Sequence, residues 1–478
     1  MDSIDTRIAP GATRLPALRI DAAGRAQVDL RAVLALALPL VANSAVQMVL
    51  NLTDVWFIGR ISTRALAAVG AVQWLVLVVV MVLGGIGMAV QTIVSQAYGA
   101  RRYARASQAV WIALWGILCA VPLFLAAGAA GRWMLSPFGF DADIEQLAAQ
   151  FWLPRVAGSP FGTATWALLG FFNGIGRPRV TVLVTCLVAL ANALFNQLFI
   201  FDFGWGVAGS GWATTVAQAL GLVLGAAFFL RREYRRNYRS HLTWRPRASL
   251  LWEQFRLGFP MGLLYAADLI GVSIFQMMQV RLSAPDGAAT QIVMVLTSVA
   301  YMPGFGIALS GTTLVGQAIG AGDRAWAMRL GTRVIALAAL YMGCSGVLLA
   351  LAGPWLLPLF TGAHDAESAT VLALGTHILW LAALYQFFDG LNIGSGLCLR
   401  GAGDALVPAA LVLALSWFMF VPLAHALTFA PGKGWFHFLP QAGWGSIGGW
   451  TALVCYIFLL GTMLFLRWRS GAWQRIRL

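Results

Sequence analysis

Cut at its charged residues, the chain falls into twelve long apolar runs: residues 32–59, 65–100, 106–131, 156–176, 180–201, 203–230, 257–280, 287–322, 334–363, 368–399, 405–432 and 434–466. About 20 apolar residues suffice for a helix to cross a ~30 Å hydrocarbon core. Without water, a spanning segment must satisfy its own backbone hydrogen bonds, which leaves helices or closed barrels. A barrel would show short alternating segments, so runs of this length read as helices. The expected fold is an all-α polytopic membrane protein with twelve transmembrane helices. Two runs reach 36 residues, 65–100 and 287–322; such helices must tilt, kink or extend beyond the lipid. Nothing outside the runs is long enough for a soluble domain. The longest such piece, 1–31, lacks the early apolar core of a signal peptide and reads as a cytoplasmic tail.

The net charge of +14 raises the question of nucleic acid, but the positive residues follow topology. With twelve spans the termini share a side, and the tails plus every second loop hold 26 of the 31 arginines. The largest cluster is Arg231, Arg232, Arg235, Arg236, Arg239, Arg245, Arg247 and Arg256. The opposite side carries Arg60, Arg64, Arg132, Arg155, Arg281 and Lys433, with acids including Asp141, Asp143, Glu145, Asp202, Asp286, Asp365 and Glu367. Positive charge marks the cytoplasmic side. The reading is therefore a cell inner (cytoplasmic) membrane protein with both termini cytoplasmic, no nucleic-acid partner, and basic loops suited to anionic lipid. The five cysteines lie in apolar runs without CxxC spacing, and the five histidines have no metal-ligand spacing.

The chain repeats. Shifted by 221 residues, Pro39 meets Pro260, Arg60 meets Arg281, Ser62 meets Ser283, Gly85 meets Gly306, and SQAYGA (95–100) meets GQAIGA (316–321). Further on, GIGRP (174–178) corresponds to GAGDA (401–405), and GWGVAG (204–209) to GWGSIG (443–448). Each repeat has six runs, so both insert with one orientation and are expected to be related by a pseudo-two-fold axis along the membrane normal. The expected domains are a tail 1–31, a six-helix bundle 32–230, an Arg-rich cytoplasmic linker 231–256, a second six-helix bundle 257–467 and a tail 468–478. Two bundles flanking a central cavity suit a carrier that rocks between two openings, although channels and membrane enzymes also contain repeats.

Three acids lie inside the runs: Asp54, Asp268 and Asp389. Burying a carboxylate at mid-membrane costs ~3 kcal/mol or more, and such residues usually mark function. The repeat superposes none of them, since Asp54 aligns with Phe275 and Asp268 with Gln47. No basic residue shares their runs, so no fixed ionic partner is apparent. A carboxylate so placed is relieved by a proton, a metal cation or an organic cation, one at a time, and that exclusion can couple two flows. Asp54, near the outer end of its run, reads equally well as a carboxylate hydrated at the interface or bonded to a neighbour. Around Asp389, Tyr385 lies four residues before, Gln386 three before and Asn392 three after, one turn away along the helix. Their oxygens could complete a cation shell and the phenol ring could face an organic cation; ordinary interhelical hydrogen bonding is the alternative. Asn192 and Asn196 form a similar polar stripe in the first half. Phe387 and Phe388 are candidates for cavity lining. The prolines Pro39 and Pro260 are read as opening their helices. GAGD (401–404) echoes an intramembrane aspartyl protease motif, but no Tyr-Asp pair accompanies it.

These pieces together resemble the multidrug and toxic compound extrusion (MATE) family of secondary transporters. The carrying pieces are Pro39 with NLTDVWFIG (51–59), SQAYGA, GFP with Asp268 eight residues beyond Pro260, GQAIGAGD (316–323), and YQFFDGLN (385–392) followed by LRGAGD (399–404). The resemblance covers about residues 32–467 and implies twelve helices in two lobes. It is nearest to the NorM-type branch, whose acids in helices 1, 7 and 10 carry over onto Asp54, Asp268 and Asp389, and whose helix 10 Tyr carries over onto Tyr385. Two departures stand out: helix 7 usually presents Glu where this chain has Asp268, and helix 5 often has an acid where Asn196 stands.

The resemblance implies no enzyme and no cofactor, but a multidrug efflux antiporter exporting cationic, aromatic compounds in exchange for Na⁺ or H⁺. Asp389 and Asp268 would bind the coupling cation, holding the metal if that ion is Na⁺, with Tyr385 and Asn392 assisting. Asp54, Asn192, Asn196 and Gln386 form a further candidate substrate or proton site. Each chain would hold a complete pathway and act as a monomer. A lipid-linked oligosaccharide flippase is the first alternative, disfavoured because the runs carry no basic residues except at their ends. A polytopic membrane enzyme or a cation channel stands behind it.

Overall fold

The computed structural model describes residues 15–22, 24–136, 142–360, 368–435 and 440–476. Arg7, Arg14, Asp141, His364, Asp365, Glu367 and His437, which figure in the charge and metal arguments, lie outside them. A hairpin of β1 (Leu18–Ile20) and β2 (Ala26–Val28) precedes the helices. The first half holds α1 (Leu30–Gly59), α2 (Thr63–Gly99), α3 (Tyr103–Ala129), the short α4 (Gly131–Leu135), α5 (Ala142–Ala157), α6 (Ser159–Gly174), α7 (Pro178–Asn196), α8 (Gly206–Phe229) and the short α9 (Arg232–Tyr238). The second holds α10 (Ala248–Leu282), α11 (Ala284–Gly320), α12 (Arg324–Leu356), α13 (Ser368–Ala402), α14 (Leu406–Leu415), α15 (Val421–Thr428) and α16 (Gly445–Arg469).

Eleven helices among the described residues are long and apolar enough to cross a membrane. The protein is a multi-pass membrane protein, and large apolar side chains such as Leu190, Leu348, Trp355 and Phe418 point outward, as lipid-facing positions require. The twelfth expected span, 156–176, is instead built from α5 and α6, two 16-residue helices that meet at Gly158. Pro160 lacks the N–H that would continue the ladder, and a side chain on Gly158 would meet Thr215 of α8 at 2.0 Å. Pro39 and Pro260 do not open their helices; both lie inside, in α1 and α10. Helix α10 already begins at Ala248, so the end of the Arg-rich linker is helical.

The repeat acquires a physical meaning at the helix ends. Ser62 and Ser283 are equivalent, and each caps its helix, accepting hydrogen bonds from the N–H of Ala65 and of Asp286. The two halves meet crosswise, α1 along α11 and α10 along α2, with α2 against α11 between them. Glycines make these contacts possible. A Cβ on Gly85 would strike the Gly258 carbonyl at 2.4 Å, and one on Gly306 would strike Val41 at 2.6 Å. A Cβ on Gly99 would strike the Gln317 carbonyl at 2.0 Å and one on Gly320 the Gln96 carbonyl at 1.9 Å, two contacts that exchange under the 221-residue shift. Ser95 touches its own equivalent, Gly316, so the pseudo-two-fold axis runs between them.

Hydrogen bonds follow the same exchange. Gln96 Nε2 donates to the Gly401 carbonyl and Gln317 Nε2 to the Gly174 carbonyl, both at 2.9 Å. Thr92 Oγ1 donates to the Arg400 carbonyl at 3.1 Å, and Thr313 Oγ1 to that of Asn173 at 3.0 Å. Each half thus closes on the other half's GIGRP or GAGDA turn. The segments read as tails are also docked where described. Trp326 Nε1 donates to the Pro16 carbonyl at 2.9 Å, fixing the hairpin to α12, and Trp473 stacks on Trp468 with centroids 4.7 Å apart.

Gly99→Val and Gly320→Val are expected to destabilise the protein to similar degrees, by about 1–3 kcal/mol each, because backbone cannot yield to the added atoms. Gly70→Ala, where nothing lies within 4 Å of the new Cβ, is expected to be neutral or slightly stabilising. Apparent melting temperatures of the detergent-purified variants check this.

Candidate functional site

In the first half, Asp54 of α1 is met by the last residue of α7. Asn196 Nδ2 donates to Asp54 Oδ1 at 2.7 Å and to Asn192 Oδ1 at 3.0 Å. Asn192 Nδ2 continues the chain to Thr214 Oγ1 of α8 at 3.2 Å. Both asparagines are fully buried. Immediately after Asn196 the helix widens into a π turn, Gln197–Asp202, a feature common at functional sites. The structure therefore joins Asp54, Asn192 and Asn196 into one network. It also supplies what the runs did not show. Arg155, from the last turn of α5 and assigned above to an outer loop, lies within electrostatic reach of Asp54, so the expectation that this acid has no basic partner does not hold.

In the second half, Asp389 of α13 is 3% exposed. Tyr385 Oη donates to its Oδ2 at 3.1 Å, and Asn392 Nδ2 to its Oδ1 at 3.2 Å. The one-turn spacing read from YQFFDGLN is thus realised. Asp268 of α10 accepts from Tyr456 Oη of α16 at 3.0 Å. Tyr456 is itself positioned by stacking on Phe420, centroids 4.9 Å apart. Ser416 and Phe420 are the ends of a second π turn, Ser416–Phe420, in the run equivalent to the one that carries the first. Close approach of α10 depends on Gly271, whose Cβ would stand 2.4 Å from Ser416 Oγ.

Asp268 and Asp389 are on separate helices, yet each lies in the other's electrostatic field, and Tyr301 of α11 senses both. Every hydrogen bond they receive comes from a neutral phenol or amide. Two like charges so placed repel, and one added positive charge relieves both. A proton would reside on one carboxylate. A metal cation would need oxygen lone pairs, which Tyr385 can turn inward and Asn392 can offer by reversing its amide. No cluster of three or more His, Cys, Asp or Glu residues suited to a metal occurs among the described residues.

Gln386 does not join this group. It is fully buried and donates to the Thr297 carbonyl of α11 at 2.9 Å, with its Cβ near Gly346 of α12; it packs helices together instead of facing Asp389. Phe387 packs on Gly343 of α12, and Phe388 stands edge-on to Phe458 of α16 at 4.8 Å. Tyr456, Tyr301 and Arg155 escaped the sequence reading because each reaches the site from a different helix. Tyr265, three residues before Asp268 and in contact with Arg400, could have been found by helical spacing.

The family described as MatE matches residues 39–198 and 260–424, two stretches whose starts differ by the repeat shift. A probable multidrug resistance protein NorM of Pseudomonas aeruginosa is 30% identical over 464 residues, spanning 93% of this chain and 90% of that protein. Its namesake in Agrobacterium fabrum is 28% identical over 424 residues, spanning 86% and 90%. Among solved structures, that of MATE in complex with MaL6 superposes with a TM-score of 0.81 at 18% identity, covering 93% of this chain and 97% of that one. The outward-facing conformation of a multidrug resistance MATE family transporter of the MOP superfamily gives 0.77 at 19% identity, covering 93% and 96%. At these identities the structures attest the fold.

Asp54→Asn and Asn196→Ala are expected to couple by about 1–2 kcal/mol in a double-mutant cycle, since each single change leaves a buried partner unsatisfied. Asp54→Asn and Asp389→Asn, in different networks, are expected to add. Thermal unfolding of singles and doubles measures both quantities.

Proposed function

The chain belongs to the MatE family of efflux transporters, and from that premise we propose that it is a secondary antiporter exporting cationic, aromatic compounds in exchange for Na⁺ or H⁺. The observation that carries the reading is the pair Asp268 and Asp389: two carboxylates in one field, supported only by neutral donors. Such a pair holds a proton, a metal cation or an organic cation, and binding one disfavours the others. Tyr385 and Asn392 hold Asp389, and Tyr456 holds Asp268. The pair therefore keeps its geometry whichever cation is present.

Asp54, Asn192 and Asn196 form a second polar site in the other half. It carries less of the coupling, because Arg155 already answers the charge of Asp54. The halves 32–230 and 257–467 act as two lobes that rock about the pseudo-two-fold axis. The reciprocal bonds of Gln96 and Gln317 join the ends of α2 and α11 to the opposite half; with the basic loops on the cytoplasmic side, these bonds would shut that side and leave the carrier open outward. Passage to the inward-open state breaks these bonds in pairs. The protein resides in the inner membrane with both termini cytoplasmic, its basic loops against anionic lipid, and it works as a monomer.

Efflux of a fluorescent organic cation from proteoliposomes under a separate Na⁺ or pH gradient tests the reading. One of the two gradients is expected to drive efflux, and Asp389→Asn is expected to lower the driven rate by about tenfold or more. Gradient-independent wild-type flux, or wild-type coupling in Asp389→Asn, would refute it.

A further inference from the structure

Arg155 answers Asp54 through its field alone. Among the described residues its guanidinium makes no hydrogen bond and no ion pair within 4.0 Å, and the side chain is half-buried. It lines a cavity of about 60 Å³ inside the first half, together with Gln73, Ser159, Trp166 and Gln218. The α2 part of the lining, Gln73 to Val80, begins ten residues into a helix that rises ~1.5 Å per residue. The cavity therefore lies well below the outer surface. Asp54 is the charged group in whose field Arg155 lies, and its Oδ1 is already engaged by Asn196. A guanidinium offers five donors in a planar fork shaped for a carboxylate. With no hydrogen-bond partner among the described residues, that fork is open to an anion or to ordered water.

We propose that Arg155, flanked by the side-chain amides of Gln73 and Gln218, forms a subsite for the carboxylate end of a zwitterionic aromatic substrate. The inference rests on the efflux reading above and deepens it. A volume of about 60 Å³ suits a carboxylate, and the larger ring system would lie outside it. The cationic end is then left for Asp268 and Asp389. The two halves thus differ in polarity: the first meets an anion, the second a cation. Asp54 competes with the substrate for the guanidinium, which keeps Arg155 from trapping it.

The test uses the full-length protein and two matched probes, a rhodamine free acid, which is a zwitterion, and its ethyl ester, which is a cation. Binding of each is followed by fluorescence anisotropy. The wild type is expected to favour the acid over the ester, and Arg155→Gln to lower that preference about tenfold, the worth of one charge-assisted hydrogen-bonded pair. Arg155→Lys is expected to fall between them, and Asp54→Asn to raise the preference. Benzoate, which lacks a cation, is expected to displace the acid from the wild type more effectively than the ester, a readout that needs no variant. An acid-to-ester ratio that is the same in wild type, Arg155→Gln and Arg155→Lys, or equal displacement of both probes by benzoate, overturns the subsite while leaving the efflux reading intact. Failure of the wild type to bind either probe contradicts both.

Discussion

Hydrocarbon offers a polar group no partner, so polar groups within the spans are driven to find partners inside the protein. That demand explains the helices, and it also explains how they are joined. The α2 and α11 helices can approach only because Gly99, Gly316 and Gly320 carry no Cβ. Having approached, they spend their amide and hydroxyl groups on each other's half, Gln96 on Gly401 and Gln317 on Gly174. Backbone contact and hydrogen bonding replace the hydrophobic drive that lipid removes. The reciprocity follows from the repeat: a contact made once by the first half is made again by the second.

The same demand sorts the acids. Asp54 is answered by Asn196 and by the field of Arg155. Asp389 and Asp268 receive only neutral donors, and in the function proposed above a mobile positive charge relieves their repulsion. Each polar network lies beside a π turn in the equivalent helix of its half, Gln197–Asp202 and Ser416–Phe420. A widened turn shifts the helix face and lets one residue reach a neighbour it would otherwise miss. The common architecture is inherited by both halves, while the charges are placed separately.

Much of this was legible in the order of residues. Lipid imposes long apolar runs, so the helices stood out, and the 221-residue shift announced the two-fold relation. Asp389 with Tyr385 and Asn392 was readable because one helix carries all three. Gln386, at a similar spacing, went astray because the packing of α13 against α11 and α12 decides which way that residue turns. Tyr456, Tyr301 and Arg155 come from other helices, and a single chain does not reveal which faces converge. The split of residues 156–176 at Gly158 followed from Pro160 and from the press of Thr215. The first cause is visible in sequence; the second requires the neighbour.

The central claim is that the coupling ion and the organic cation exclude each other at Asp268 and Asp389. The most direct measurement is equilibrium binding of a fluorescent organic cation to the purified protein across a series of Na⁺ concentrations and pH values, in the wild type and in Asp268→Asn with Asp389→Asn. Competition predicts that one of the two ions weakens binding in proportion to its concentration in the wild type and has no effect in the double variant. An affinity independent of both ions in the wild type, or an ion dependence that survives loss of both carboxylates, would contradict the account.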